Sequence, residues 1–264
     1  MIAHLVLALG GAVMLAPFAW MLLTSLRPAS GVFDGFGLAT LEGFGNYAYA
    51  LGTAPLLRFM LNGVIVCTGI LVVQQLVAIP CAYALAKLPF RGRGVMFGLV
   101  LGALCIPIQV PALPLYLGLA HAGLLDTYLA MMLPFFLSVF AIFLFRQFFM
   151  TYPDEIIQAA RLDGAGEFEI VWRFVAPSAL PAIAAFSIFS VVAHWNDLYW
   201  PLIVITETRL APPPLGMLYF RDAETGSNYG ALMAGATIIT APLVIAFLVA
   251  RRRFIQGITT TGLK

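Results

Sequence analysis

Charge is what this chain has least of. Of its 264 residues only 10% are charged, while 62% are hydrophobic. Soluble domains carry roughly 25% charged residues. At a mean hydropathy of +0.97, the chain holds more apolar surface than a water-soluble core can hide. The composition excludes an ordinary soluble domain. A net charge of +2 says little about partners, and no nucleic acid is expected among them.

Cysteine and histidine are scarce too. Cys67, Cys81 and Cys105 fall inside apolar runs with no C-x-x-C spacing, so they read as small buried apolar residues. Neither a metal site nor a disulfide is expected. His4, His121 and His194 have no companions at ligand spacing. The nearest approach to a phosphate-binding loop is "DGAG" at 163–166, which lacks the Gly-Lys-Ser/Thr that cradles phosphate. G-x-S-x-G and H-E-x-x-H are missing as well. An enzyme reading has no support, and neither catalytic residues nor a cofactor bound by this chain is expected.

Long apolar runs are abundant. Six segments, about 2–26, 58–86, 95–119, 127–146, 181–205 and 229–251, each approach the roughly 20 residues needed to cross a bilayer. Backbone groups cannot go unpaired in lipid, so each run reads as a helix. Barrel strands would show short alternating segments, and these runs are continuously apolar. The first run has no basic region before it, so it reads as a span rather than a signal peptide. The expectation is an all-α membrane protein of six transmembrane helices, forming one domain over 1–264.

Lys and Arg cluster on alternate connections. Lys87, Arg91 and Arg93 follow the second run. Arg146, Arg161 and Arg173 follow the fourth, and Arg251, Arg252, Arg253 and Lys264 follow the sixth. The positive-inside rule then places 87–94, the 147–180 loop and both termini in the cytoplasm. Residues 27–55, 119–126 and 206–228 are expected outside.

One segment is out of character. "QAARLDGAGEFEIVWRFVAPSALP", 158–181, carries two arginines and three acids between apolar runs. Pro153, Asp154 and Glu155 suit a helix start. Asp163-Gly164 is a turn signal, since Gly accepts a positive φ. "EFEIVWRF" reads as a second short helix ending at Ala176-Pro177. Ile156, Ile157, Ala160, Ile170, Val171 and Phe174 recur at helical spacing. The product is a bent pair of helices along the membrane surface. The plainer use of such a pair is to connect two spans; the other is to be read by a partner.

The same segment resembles the EAA loop of permease subunits from binding-protein-dependent ABC importers. Ala159, Ala160, Asp163, Gly164, Ala165, Phe174, Pro177 and Pro181 fill that pattern. Gln158 stands where the family carries Glu, and Glu155, one turn earlier, is the candidate replacement. "HWNDLYWPLIV" (194–204), "NYAYAL" (46–51), "FRDAETGSNYGALMAGA" (220–236) and "FIQGITTTGLK" (254–264) resemble other family segments in the right order. The likeness spans the chain. It points to the carbohydrate-uptake branch, and there to the shorter, maltose-transporter-G-like partner of a permease pair.

The resemblance implies a type I ABC importer transmembrane domain in a bacterial or archaeal cytoplasmic membrane. It implies a second homologous permease, two copies of an ATPase subunit that hold ATP and Mg, and an extracytoplasmic solute-binding protein. The 147–180 loop would be the coupling helix docked on an ATPase, through Glu155, Gln158, Ala159, Ala160, Asp163, Gly164 and Ala165. Tyr219, Phe220 and Arg221 in the last outer loop are expected to touch the binding protein. The tail 257–264 is expected to reach the ATPase dimer.

Asp197 is the one acid at membrane depth, where an ionisable group should face a cavity or a partner. With His194, Trp195, Asn196, Tyr199 and, on the third run, Gln109, it is a candidate lining for a sugar path or gate. The alternative is an interfacial aromatic belt with Asp197 in a structural contact, to Arg or to backbone, between subunits. Asn62, Gln74 and Gln75 are expected to bond between helices. Pro107, Pro111 and Pro114 should make the third run irregular. A different class of transporter, ion- or proton-coupled, would use Asp197 as its ion site. That class builds on internal repeats, and the D-G-A loop has no second copy.

Overall fold

The computed structural model describes residues 2–28, 43–220 and 228–259. The described residues contain helices and no strand. In chain order the helices are α1 (Ile2–Ser25), α2 (Gly45–Thr53), α3 (Leu56–Lys87), α4 (Arg93–Ala103), α5 (Ala112–His121), α6 (Tyr128–Met132) and α7 (Val139–Met150). They continue as α8 (Asp154–Leu162), α9 (Glu167–Ile170), α10 (Ala176–Ser178), α11 (Leu180–Trp195), α12 (Tyr199–Val204), α13 (Pro213–Gly216) and α14 (Tyr229–Thr259).

The six expected crossings fare differently. The first, second and sixth are single long helices, with apolar stretches at Ala3–Ser25, Leu56–Lys87 and Tyr229–Leu248. The fourth is broken: a 3-10 turn over Leu133–Phe135 joins α6 to α7 with a bend of 44°. Pro134 lies in that turn, and Ser138 then restarts the helix by accepting the Ala141 N–H at 3.2 Å, as an N-cap does. In the fifth, α11 covers 180–195 and α12 covers 199–204, with a break between them. The third is two short helices, α4 and α5, around a non-helical 104–111. Pro107 and Pro111 lie in that gap, lacking the N–H groups a continuous helix needs.

The chain divides into two compact units. In one, residues 1–63 and 211–246, the core joins Ala50, Leu56 and Phe59 to Met217, Phe220, Ala231 and Ala234. Asn46 donates to the carbonyls of Ser25 and Arg27 at 3.0 and 2.6 Å, and Asn62 donates to that of Ala211 at 2.9 Å. These bonds satisfy polar groups that lipid would leave bare. Gly216 packs against the ring of Phe59, where a Cβ would lie 2.1 Å from a ring carbon.

In the other unit, residues 64–210 and 247–264, the core gathers the C-terminal part of α3, the helices α7 and α11, and the polar loop. Tyr83, Leu85, Phe145, Phe149, Ile157, Ile170 and Val175 are all buried in it. Gln74 and Gln75 bond between helices, as the sequence suggests: Gln74 donates to the Phe135 carbonyl at 2.8 Å and Gln75 to the Ser187 hydroxyl at 2.8 Å. Of the cysteines, Cys67 is buried and Cys81 partly so. Cys105 is exposed in the 104–111 break, contrary to the reading of all three as buried.

Candidate coupling hairpin and membrane site

The polar loop folds as two helical arms around a tight bend. The first arm is α8, with Asp154 and Glu155 in its opening turn, where acids meet the positive end of the helix dipole. Its end is a Schellman motif. The Ala165 N–H donates to the Ala160 carbonyl and the Gly164 N–H to the Arg161 carbonyl, both at 3.0 Å. Gly164 takes φ +87°, the left-handed conformation this motif assigns to glycine. Ala160 and Ala165 then pack toward the core of their unit, as the motif's apolar contact requires. The D-G-A signature is thus a helix stop with a fixed exit angle.

This geometry corrects two expectations. Ala160 and Ala165 face the chain's own core rather than an outer docking face; Ala159 is the alanine left exposed. Asp163 is the C-cap of α8, and Gly166 is the N-cap of α9, which opens the second arm. That arm does not end at Ala176-Pro177. A π-helical turn over Val171–Val175 carries it on through α10. Pro177 and Pro181 each sit in the opening turn of a helical segment, where a missing N–H leaves nothing unbonded. The arm meets α11 at 81°.

The hairpin has two faces. Ile157, Ala160, Ile170, Val171 and Val175 are buried. The other side exposes Glu155, Gln158, Ala159 and Asp163, and with them Ile156 at 43%, Phe168 at 71% and Leu162 at 89%. Large apolar side chains left bare on a polar segment mark an interaction surface.

Three side chains hold the hairpin through four hydrogen bonds. Tyr83, on α3, donates its hydroxyl to Glu167 Oε2 at 2.6 Å. Arg161, on the first arm, donates Nε to Glu167 Oε1 at 2.6 Å, closing the bend. Lys87, one turn beyond Tyr83, donates to Asp154 Oδ1 and to the Tyr152 carbonyl, each at 2.6 Å. The Arg161 bond, and then the Tyr83 hydroxyl, hold the Glu167 carboxyl below its usual range against some opposing desolvation. Arg146 on α7 donates to the Leu85 carbonyl at 3.1 Å and stacks its guanidinium over Phe97. Tyr83 was not a candidate from sequence: its partner lies 84 residues away. Its i, i+4 spacing from Lys87 was the one local hint that both face the same way.

The 194–200 segment resolves mainly into structure. Asn196 closes α11, donating to the Val192 carbonyl at 2.8 Å. Asp197 Oδ1 accepts the Trp200 N–H in the first turn of α12 at 3.3 Å. Trp200 is fully buried and donates its indole N–H to the Ala130 carbonyl at 2.9 Å; Trp195 is buried as well. Tyr199 is exposed. His194 turns toward α3: its ring centroid lies 4.6 Å from that of Phe135, and its Nε2 is 3.4 Å from Gln74 Nε2. Ser190 donates to Gln74 Oε1 at 2.6 Å. This cluster edges a cavity of about 250 Å³ with Ser138, Phe140, Phe186 and Phe189. Gln109 stands apart from it, exposed in the 104–111 break.

The outer candidates divide. Phe220 is buried at 5% beside Met217, Ala231 and Ala234, so its ring serves the core rather than a docking surface. The side chain of Tyr219, the whole of Arg221 and residues 260–264 of the tail lie outside the described residues. On the same side in the expected topology, Asp126 accepts the N–H groups of Thr206 and Glu207 and the Thr206 hydroxyl, at 2.6 to 2.9 Å. Those bonds, the Glu207 N–H foremost, hold its carboxyl below the usual range.

The described residues form long apolar helices with a polar hairpin clamped to them, an architecture suited to a membrane component. The chain belongs to the family of binding-protein-dependent transport system inner membrane components, which matches over residues 77–260. It is similar to the arabinooligosaccharides transport system permease protein AraQ of Bacillus subtilis, with 32% identity covering 95% of this chain and 90% of the relative. It is 31% identical to the sn-glycerol-3-phosphate transport system permease protein UgpE of Rhizobium meliloti, over 99% of this chain and 96% of the relative. The diacetylchitobiose uptake system permease protein NgcG of Streptomyces coelicolor is 30% identical over 99% and 87%. A crystal structure of a bacterial ABC transporter involved in the import of the acidic polysaccharide alginate shares the fold. Its TM-score is 0.83 at 21% identity, over 96% of this chain and 95% of that one. This is a permease of the inner membrane, as the motifs of its sequence imply.

Proposed function

We propose that the chain is one of two permease subunits of an ATP-driven importer for a sugar or sugar-like solute. The observation that carries the coupling role is the two-faced hairpin. One face is locked into the unit's own core, and the other offers Leu162, Phe168 and Ala159 to a partner. A rigid bent element transmits a push, whereas a loose connector absorbs it. Two copies of a separate ATPase subunit would supply the groove and hold ATP and Mg. A second permease would complete the pathway, and an external binding protein would deliver solute. The relatives named for arabinooligosaccharides, diacetylchitobiose and sn-glycerol-3-phosphate support a hydroxyl-rich solute. Family membership gives no support to an ion-coupled transporter.

The hydrogen-bonded edge of the His194 cavity suits a path lining, with the phenylalanine rings offering faces to sugar C–H groups. The exposed outer residues Glu207 and Arg209 are the better candidates for binding-protein contact, in place of Phe220. The test is purification with native neighbours, followed by reconstitution with radiolabelled oligosaccharides. A co-purifying ATPase and second permease, with uptake that needs ATP, are expected. A chain that runs alone, with uptake that follows a proton gradient, overturns the reading.

A further inference from the structure

We propose that Tyr83 is a positioning residue of the coupling step: by holding Glu167 it makes the bent hairpin move with α3. The inference rests on the reading of the hairpin as the ATPase-facing element. Its ground is geometry. Tyr83 is 1% exposed, and its hydroxyl is fixed on Glu167 Oε2. The other oxygen of that carboxylate is taken by Arg161 on the opposite arm. One carboxylate therefore ties three segments: α3, the first arm and the second. Lys87, one turn on along the same helix, grips the start of the first arm through Asp154 and the Tyr152 carbonyl.

Both grips join a buried donor to an exposed carboxylate: Lys87 is 8% exposed against Asp154 at 66%, and Glu167 is 44% exposed. The Tyr83 bond is short and charge-assisted, and the carboxylate it reaches is the one that also holds the opposite arm. The apolar contacts beneath the hairpin resist separation but not sliding. The directional bond to Glu167 is what fixes the hairpin's register along α3. A push on the exposed face then reaches α3, and with it the Gln74 cluster that edges the cavity, as a rigid displacement.

The experiment uses the full transporter, purified with its partner subunits, in a background lacking the three native cysteines. Spin labels are placed at Arg173→Cys on the second arm and Leu76→Cys on α3, both exposed. Their separation is measured with and without Mg-ATP and vanadate. The separation is expected to stay the same in both states when Tyr83 is present. Tyr83→Phe keeps the ring and removes the bond, so the nucleotide should then shift or broaden the distance. Glu167→Ala should do the same. Glu167→Gln, which keeps an acceptor for the phenol, should restore the fixed distance.

Tyr83→Phe combined with Glu167→Ala should be no worse than Glu167→Ala alone, since that variant already removes the phenol's acceptor. Should Tyr83→Phe fail to insert, Glu167→Ala carries the same test from an exposed position. An unchanged distance in both variants overturns the clamp. Leu162→Asp tests the underlying reading separately. It alters an exposed residue and should strip the ATPase from the complex. Retention of the ATPase at full stoichiometry overturns the hairpin's role, whatever the labels report.

Discussion

At the residue scale, two glycines are required for opposite reasons. Gly164 is needed for its backbone. A Cβ there would meet nothing within 4 Å, yet its φ is +87°, so the penalty for a side chain is all conformational. For a β-branched residue that penalty is about 1–3 kcal/mol. Gly164→Val is therefore expected to leave the chain in the membrane with its hairpin exit angle wrong. Measured by the amount of ATPase that co-purifies, the variant should lose most of it; full recovery would reduce the hairpin to a connector. Gly216 is needed for its size. An added methyl would meet the ring of Phe59, which is fully buried and has no room to withdraw. Overpacking of this kind costs about 1–3 kcal/mol. Gly216→Ala should lower the thermal unfolding midpoint of the detergent-purified chain, and an unchanged midpoint would show that Phe59 repacks freely.

At the element scale, turns and caps decide how helices meet. Asp126 ends the connection before α6 at φ 55° and holds the backbone just after α12 with three hydrogen bonds. Its carboxyl is held below the usual range, so the stabilisation it gives has a defined pH sign. It is fully present above the ordinary Asp value of about 3.9, and it is lost as pH falls through the lower folded value. Asp126→Asn should therefore unfold more readily than the parent at neutral pH. The difference should vanish in strong acid, where both side chains are uncharged. A gap of constant size across the titration would assign the effect to packing instead. The hairpin obeys the same logic through Glu167, whose carboxyl is also depressed, first by Arg161. Its ties should hold well into the acid range and fail only below the usual Glu value of about 4.3.

At the scale of the whole molecule, the Lys and Arg bias makes a claim about sidedness. Cysteine introduced at exposed Leu162 should be sealed from an impermeant maleimide in intact cells, while cysteine at exposed Glu207 should react. Labelling of position 162 from outside would invert the topology and remove the hairpin from the ATPase. The sequence is explicit here, because crossing segments are a matter of composition and run length, and both are local quantities. It is less explicit about how each run crosses. Pro107 and Pro111 announced a break, and α4 and α5 show one. Pro134 was the equivalent local signal for the bend of 44° between α6 and α7, where Ser138 recaps a helix after a proline turn.

The sequence by itself determined that this is a helical membrane protein with a bent polar hairpin, and that Gly164 sits at the bend. Each of those rests on hydropathy, spacing or the conformational freedom of one residue. It also carried the family, through motifs that stand in order along the chain. Tertiary structure alone decided which side of the hairpin is buried. Ala160 and Ala165 look like docking alanines in sequence, but the Schellman geometry turns them inward. It decided that Asp197 bonds the backbone at the start of α12, and that Phe220 belongs to a core. It supplied Tyr83, a residue with no motif of its own. The physical reason is common to all four. A side chain's role is fixed by what lies across from it, and here those partners stand on other turns and other helices, some more than eighty residues away along the chain.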